Sequence, residues 1–201
     1  MEGWKTNWKY EVDKESEMLY TEHMYKVSGS DFLKRSIILF PCFYNVDAIQ
    51  RIREKYDPLA NCIAPHITVV FPFESNLKTD VLESHISDAL NGVKKFCVHL
   101  KGITGDFRDG YLFLNVKKGN DQIIALHDKL YGGILQKFLY KKATCCPHLT
   151  VGKLNDAAEF DKAILELGSS VESFETMIDK VYVENIDRNG NSVIECSLDL
   201  E

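Results

Sequence analysis

The sequence has no long hydrophobic run and no pattern of a secretory leader. None of its apolar stretches approaches the roughly 20 residues that span a bilayer, and Met1 to Lys9, which includes Trp4 and Trp8, lacks the apolar core of a signal peptide. With 45% hydrophobic and 27% charged residues, the composition is also unlike that of a disordered or fibrous chain. We therefore expect a globular, cytoplasmic protein with no membrane partner.

The six cysteines include no C-x-x-C pair. The adjacent pair, Cys145 and Cys146, is poorly suited to a disulfide because neighbouring Cα atoms lie too close together. Reduced thiols agree with a cytoplasmic location. A metal site formed by Cys62 with His66, or by the adjacent cysteines with His148, lacks the second Cys/His pair that completes a four-ligand set. We therefore expect neither a metal nor a cofactor.

Basic residues are not in excess, since the net charge is −6. A negative net charge argues against a protein that coats long nucleic acid. The charge is unevenly distributed. Residues 31–154 carry 17 basic and 12 acidic side chains, a net charge of +5, whereas residues 155–201 carry 3 basic and 12 acidic side chains, a net charge of −9. A mildly basic middle suits a short anionic ligand, and the acidic end is equally well explained as a solvated face. Long double-stranded nucleic acid is not an expected partner.

Strand and helix patterns alternate along most of the chain. Apolar or alternating runs predict strands at 36–43, 66–73, 96–100, 111–116, 148–154, 177–187 and 192–200. Helical spacing predicts helices over 45–56, 79–90, 121–139 and 156–167. Asn45 is the expected cap of the first helix and Gly168 the expected stop of the last. Residues 1–30 do not follow this rhythm, so we interpret them as an N-terminal extension to a single domain over residues 31–201.

One short motif occurs twice. Pro65-His66-Ile67-Thr68-Val69 and Pro147-His148-Leu149-Thr150-Val151 both read Pro-His-aliphatic-Thr-Val, 82 residues apart. A chain with six histidines, eight threonines and five prolines has little chance of producing this match twice. The repeat therefore indicates a shared role for the two segments.

Each copy of the motif begins a predicted strand, where side chains alternate between the two faces. Strict alternation places His66 and Thr68 on one face. It places Val69 and Phe71 on the opposite face, towards a helix-covered core. The same spacing places the second histidine and threonine together on one face of their own strand.

The two motif faces meet across one cleft if the halves of the chain are related by a pseudo-twofold axis. His66 and His148 then flank a common centre as general base and general acid near neutral pH. The hydroxyl groups of Thr68 and Thr150 can donate hydrogen bonds to the non-bridging oxygens of a phosphate. The sequence therefore predicts acid–base chemistry at a phosphoester, without a metal.

Two other interpretations remain open. In the first, the cleft binds a nucleotide or an RNA end without reacting with it. In the second, the protein is an interaction module that uses its aromatic N-terminal extension. The intact histidines and threonines in both motif copies favour catalysis, because a protein that only binds does not need two groups that transfer protons.

The motifs resemble those of the 2H phosphoesterase superfamily, which is named for two His-x-Thr/Ser motifs. The segments 52–58 and 64–73 are similar to the first half of its bacterial 2′,5′ RNA ligase and 2′,3′-cyclic phosphodiesterase-like branch, and the resemblance covers residues 35–200. It implies an α+β fold in which two pseudo-symmetric lobes, with antiparallel sheets, line a central cleft and carry their helices outside. It also implies metal-independent catalysis.

Carried over residue by residue, the resemblance implies that His66 and His148 are the catalytic pair and that Thr68 and Thr150 bind the phosphate. The implied activity is hydrolysis of a 2′,3′-cyclic or similar ribose-linked phosphate on RNA ends or nucleotides, with a weak reverse 2′,5′ RNA ligase activity. The implied partner is a nucleotide or RNA-end phosphoester. A monomer is the favoured oligomeric state.

Five further residues are candidates for substrate binding. Arg53, on the helix before the first motif, can reach a phosphate or lie solvated on the helix surface. Lys153 follows the second motif, although strict alternation places it on the strand face opposite the second histidine. Tyr44, Phe73 and Tyr111 are candidate platforms for base stacking, and each can also belong to the core or its rim.

Overall fold

The computed structural model describes residues 32–141, 144–168 and 172–201. The N-terminal extension lies outside the described residues, so its role stays a prediction. In chain order the elements are β1 (Leu33–Leu39), α1 (Val46–Tyr56), β2 (Ile67–Ser75), α2 (Thr79–Leu90), β3 (Phe96–Asp106), β4 (Tyr111–Lys118), α3 (Asn120–Leu130), a 3₁₀ helix (Gly133–Phe138), β5 (His148–Lys153), α4 (Ala157–Gly168), β6 (Phe174–Ile178), β7 (Lys180–Ile186) and β8 (Ser192–Asp199). Within the described ranges, none of the helices is long and apolar enough to cross a membrane.

The strands form two antiparallel sheets of four strands each. The first sheet has the order β2-β1-β7-β8 and the second has the order β5-β4-β3-β6. The strands that carry the two motifs, β2 and β5, are edge strands of different sheets, and they contact each other. The two sheets therefore meet along the motif strands.

The two halves of the chain repeat the same local order, since β1-α1-β2 in the first half corresponds to β4-α3-β5 in the second. Each of these helices packs on the motif strand of the other half: α1 contacts β5, and α3 contacts β2. This exchange gives the pseudo-symmetry expected from the repeated motif. The predicted α+β class, with two lobes of antiparallel sheet and outer helices, is confirmed.

The buried faces of both sheets belong to one continuous apolar core. Ile37 and Val69 of the first sheet and Leu112 and Val151 of the second are buried in it. Burying a side chain of this size contributes about 1.5–3 kcal/mol relative to exposing it. The core therefore fixes the two motif strands, while their opposite faces stay available to a ligand.

The predicted helix over 121–139 is wrong in its second half, because α3 ends at Leu130. Gly133 has a φ of +55°, in the left-handed region that an α-helix does not contain. A 3₁₀ helix then returns Leu135 to the core, where it is fully buried. The apolar spacing continued across the break, which is why the sequence pattern indicated one helix.

The predicted strand over 177–187 is also wrong, because the structure divides this region into two strands in different sheets. β6 pairs with β3 in the second sheet, and β7 pairs with β1 in the first. Asp179 lies between them, and its carbonyl oxygen accepts a hydrogen bond from the Leu200 N–H at 2.7 Å. Since the chain stays extended, the local pattern gave no sign that its pairing partner changes.

Two smaller expectations differ as well. Asn45 precedes α1 but makes no side-chain cap bond. Its Nδ2 instead donates to the Glu172 carboxylate at 2.8 Å. The strand predicted over 96–100 is longer than expected, since β3 continues to Asp106 and pairs with β4 along that extension.

Candidate active site

A short extended segment fixes the orientation of each motif histidine. The Nδ1 atom of His66 lies 3.0 Å from the Ala64 carbonyl oxygen, and that of His148 lies 2.7 Å from the Cys146 carbonyl oxygen. Because a carbonyl oxygen only accepts, each Nδ1 carries a proton and donates it. Each neutral imidazole therefore keeps Nε2 free to accept a proton, which is the arrangement a general base requires.

The two histidines lie close enough to influence each other's charge. Burial is the main cause that lowers the pKa of both imidazoles below the usual range of histidine. A charge on His66 further lowers the pKa of His148. A proton on one imidazole therefore disfavours a proton on the other, as a base–acid pair needs.

The motif threonines lie on the strand faces turned away from the core. Thr68 pairs with Ile38 of β1, and Thr150 pairs with Phe113 of β4. Both are partly exposed, while the aliphatic residue on either side of each is buried. The predicted sidedness of the motif residues as far as Val69 and Val151 therefore agrees with the structure.

A β-bulge follows the threonine in both motif strands. In β2, Ile38 pairs with Thr68 and Ile37 pairs with Val70, so Val69 is the extra residue. In β5 the register shifts in the same way, and the next two residues, Val151 and Gly152, are both buried. Because a bulge inserts one residue, the third residue after each threonine returns to the threonine face.

The bulge corrects the expected position of Lys153, which shares a face with Thr150 rather than lying opposite the histidine. Lys153 pairs with Tyr111. Its Nζ atom donates to the Tyr111 hydroxyl at 3.0 Å and lies 4.6 Å from the centre of that ring. The Phe113 ring stacks on Tyr111 at 6.0 Å and lies 4.1 Å from the His148 ring. A cation and two aromatic rings thus adjoin the second histidine.

The equivalent bulge in β2 corrects the expectation that Phe71 lies in the core. Phe71 is 41% exposed, and its ring lies 5.9 Å from that of Tyr140. Phe73, one of the three candidate stacking platforms, has the other position considered for it: it is 5% exposed and stacks on Phe138 at 4.8 Å within the core. Sequence reasoning therefore missed Phe71. A signal was available in the other copy, where Gly152 within a strand is typical of a bulge.

Arg53 is not the solvated helical residue that one interpretation expected, because it is only 1% exposed. Its Nε atom donates to the Asp57 carboxylate at 2.8 Å. The two Nη atoms donate to the carbonyl oxygens of Ile63 at 2.8 Å and Leu59 at 3.2 Å. Arg53 therefore braces the loop that leads into His66, and contact with a substrate phosphate stays a prediction.

Tyr44 lies in the connection between β1 and α1 and is 90% exposed. Its role as a platform for base stacking stays a prediction. For the metal question, the described ranges contain no group of three or more His, Cys, Asp or Glu side chains that could hold an ion. The six cysteines are free thiols.

Comparisons with known proteins agree with this architecture. The family model of the 2′-5′ RNA ligase superfamily matches residues 44–190. A Bacillus licheniformis protein named "Putative phosphoesterase" is 27% identical over 158 residues, which are 75% of this chain and 89% of that protein. A Bacillus cereus protein of the same designation is 30% identical over 135 residues, which are 64% of this chain and 75% of that protein.

Solved structures show the same fold. E. coli LigT complexed with 3′-AMP superposes with a TM-score of 0.59 at 12% identity, covering 85% of this chain and 99% of LigT. The NADP+ complex of LigT gives a TM-score of 0.58 at 13% identity, with the same coverage. Two lobes whose facing edge strands each carry a His-x-Thr motif define a 2H phosphoesterase. The chain belongs to the 2′-5′ RNA ligase superfamily and is an enzyme of the phosphoesterase type.

Proposed function

We propose that this protein is a metal-independent cyclic phosphodiesterase. It hydrolyses a 2′,3′-cyclic or similar ribose-linked phosphate on nucleotides or RNA ends by two-histidine general acid–base catalysis. The observation that carries the proposal is the pair of half-buried imidazoles on contacting edge strands, each with Nδ1 tied to a backbone carbonyl. This arrangement leaves two Nε2 atoms to exchange protons with the reacting groups.

Hydrolysis uses one histidine in each protonation state. The neutral imidazole accepts a proton from water as the water oxygen forms a bond to phosphorus. The bond from phosphorus to one ribose oxygen then breaks, and the protonated imidazole donates its proton to that oxygen. The product is a phosphate monoester with a free neighbouring hydroxyl. If an alcohol takes the place of water, its oxygen forms the bond to phosphorus and gives its proton to the neutral imidazole, while the same ribose oxygen leaves with the proton of the other. The product is a phosphodiester, which is the weak ligase activity we expect.

The threonines stabilise the negative charge that develops on the non-bridging oxygens of the phosphate. Among the described residues, no hydrogen bond engages the hydroxyl of Thr68 or Thr150, so both are free to donate to a phosphate oxygen. Lys153 adds a positive charge on the face of Thr150. Preorganised donors of this kind contribute about 10²–10³ in rate each. The reaction therefore does not depend on a metal ion to neutralise the phosphorane.

A nucleoside substrate is supported by the aromatic surface beside His148. Tyr111 and Phe113 form a stacked pair next to that imidazole, and rings placed in this way bind bases without selecting their identity. Phe71 offers an exposed ring at the equivalent place in the first motif strand. The related LigT was solved with 3′-AMP and with ATP, which supports a nucleotide as the ligand.

The test is the hydrolysis of 2′,3′-cyclic nucleotides and of an oligonucleotide ending in a cyclic phosphate, in excess EDTA. We expect turnover by the natural protein and its loss in both His66→Ala and His148→Ala. His99→Ala is the matched control, because His99 is a partly exposed histidine of β3, two strands away from β5. Nucleotide binding without turnover on either substrate would contradict the proposal and favour a binding protein.

A further inference from the structure

The first sheet contains a buried carboxylate that the proposed reaction does not use. Glu184, on β7, is only 4% exposed. One of its carboxylate oxygens accepts a hydrogen bond from the Ser36 hydroxyl and the other accepts one from the Ser192 hydroxyl. Within the described ranges, no ion pair includes Glu184. A buried carboxylate that has only neutral hydrogen-bond donors favours a positive charge nearby.

Strand register places this carboxylate on the active-site side of the sheet. Glu184 pairs with Ser36 of β1, and two residues further along β1, Ile38 pairs with both Tyr182 and Thr68. Paired residues point to the same face, and so do residues two apart in a regular strand. Glu184 therefore shares its face with Thr68 of the first motif rather than with the core.

The loop that leads to the first histidine is tied to the same group. The backbone N–H of Ser192 donates to the Cys62 carbonyl oxygen at 3.1 Å, while its hydroxyl donates to Glu184. Cys62 lies four residues before His66. One serine thus connects the buried carboxylate with the segment that orients the first imidazole.

The other charges that act on His66 oppose each other. Arg53 of α1 and Asp57 at the end of that helix form an ion pair at 2.8 Å, so their influences on a nearby imidazole have opposite signs. Glu184 of β7 has no such counter-charge. His148 of β5 is also close enough to compete with His66 for a proton, and the Tyr182 hydroxyl belongs to the same face of the first sheet.

We propose that Glu184 is the buried counter-charge that keeps the proton on His66, so that His66 is the general acid and His148 is the general base. This inference rests on the proposed phosphodiesterase reaction. In each turnover, His148 accepts the proton of the attacking water and His66 donates its proton to the departing ribose oxygen. Exchange with solvent then removes the proton from His148 and returns one to His66, so the protein is unchanged.

The charges that act on the two imidazoles agree with His66 as the acid and His148 as the base. Burial lowers the pKa of both, and the Glu184 carboxylate acts against that effect by raising the pKa of His66. The charge on His66 acts in the opposite direction on its partner, lowering the pKa of His148 further. Glu184 is a positioning residue in this scheme, since it acts through His66 and its carboxylate is held by the Ser36 and Ser192 hydroxyls.

The experiment follows the imidazole signals of His66 and His148 by NMR during pH titration of the full chain, with each assigned from its alanine variant. In the natural protein we expect His66 to hold its proton to a higher pH than His148. In Glu184→Gln, which keeps the side-chain shape but replaces one accepting oxygen with a donating amide group, we expect the His66 midpoint to fall by about one pH unit. The His148 midpoint should stay constant or rise slightly.

The pH dependence of kcat/KM gives a second test of the role of His66 as the acid. The acid must be protonated, so Glu184→Gln should move the alkaline limb of kcat/KM to lower pH by the same amount and leave the acidic limb in place. Ser192→Ala is the control, because it removes a hydrogen bond but keeps the carboxylate charge. If Glu184 were only structural, both variants would lose thermal stability and neither would change the titration of His66.

Two results would overturn the inference: an unchanged His66 midpoint in Glu184→Gln, or a natural protein in which His148 holds its proton to the higher pH. The second result is measured without any variant of Glu184, so the inference stays testable even if that variant does not fold. Because the titrations need no turnover, an inactive protein with the expected midpoints would contradict the proposed function alone.

Discussion

The two motif strands share their backbone arrangement and differ in what surrounds it. In both, a proline precedes a histidine whose Nδ1 lies near the carbonyl oxygen two residues earlier, and a bulge follows the threonine. The charged groups that act on His66 include Arg53 and Asp57, which form an ion pair, and Glu184, for which the described part of the chain shows no ion pair. The nearest ring partner of His148 is Phe113. The backbone is therefore similar around the two histidines, and in the proposed reaction their different neighbours assign them different proton-transfer roles.

The residue that each bulge returns to the active face also differs. It is Phe71 in the first motif strand and Lys153 in the second. A ring stacks on a base, whereas an ammonium group attracts a phosphate. The cleft therefore has an apolar side and a cationic side, which suits a nucleotide better than a small symmetric phosphoester.

The largest expected effect comes from removing the shared histidines. His66→Ala and His148→Ala should each lower kcat/KM by about 10²–10⁴, because each removes one proton-transfer group. If the two act as one unit, the double variant should be only slightly worse than the poorer single variant. Steady-state kinetics on a cyclic nucleotide measures this. Fully multiplicative losses would indicate that the two histidines act independently.

The threonines test whether the two halves contribute equally. Thr68→Val and Thr150→Val remove a hydroxyl at nearly constant shape, and each should lower kcat by about 10²-fold. Thr→Ser at the same positions is the control, since it keeps the donor. A large loss at one position and none at the other would show that the phosphate lies against a single lobe.

The two bulge residues should respond differently to salt. Lys153→Met should lower kcat/KM by about tenfold at low ionic strength, and the difference should shrink as salt screens the charge. Phe71→Ala should cost about 1–3 kcal/mol of binding free energy through lost stacking, with little dependence on salt. Measuring kcat/KM from low to high ionic strength separates the two. Equal salt dependence would contradict a cationic side and an apolar side.

The bulge in the second motif strand depends on glycine. A Cβ atom at Gly152 would lie 2.8 Å from the Tyr56 Cβ and 3.0 Å from the Leu112 Cδ1, so Gly152→Ala should reduce the free energy of unfolding by about 1–3 kcal/mol. Urea unfolding measures the loss. Gly168→Ala is the control, because nothing lies within 4 Å of its Cβ position. A neutral Gly152→Ala would show that this strand can shift.

The smallest effect concerns stability against pH. Both motif histidines have pKa values lowered in the folded state, mainly by burial, so protonation favours the unfolded chain. Their contribution is complete above the unfolded value of about 6.5 and is lost as the pH falls through the lowered folded values. A His66→Gln/His148→Gln variant should therefore lose less stability on acidification. An equal loss, measured by urea unfolding at pH 7 and pH 5, would contradict this.

Most elements of the fold could be predicted from the sequence because each one has its own apolar period. The strands that begin at the two motifs and the helix ending at Leu90 were recognised in this way. The break at Gly133 and the change of sheet at Asp179 were not, because the apolar pattern runs through both. Local periodicity indicates which face of a strand or helix is buried. It does not indicate which other strand pairs with a given strand.

The candidate site likewise contains residues that the sequence identified and residues that it misplaced. The four motif residues could be chosen from their repetition, and their faces follow from alternation. Phe71 and Lys153 were placed on the wrong faces, since alternation fails at a bulge. Arg53 was expected either to reach a phosphate or to lie solvated on its helix, because nothing local shows the carbonyl groups that bury it.

By itself, the sequence determined the repeated motif, the order of the elements and the acid–base and hydroxyl groups that the chemistry needs. Tertiary structure decided which side chains meet those groups. Glu184 and His66 are far apart in the chain and are brought near each other by the pairing of β7 with β1 and of β1 with β2. Strand register is fixed by hydrogen bonds between distant segments, so it depends on the partner strand as much as on the strand itself.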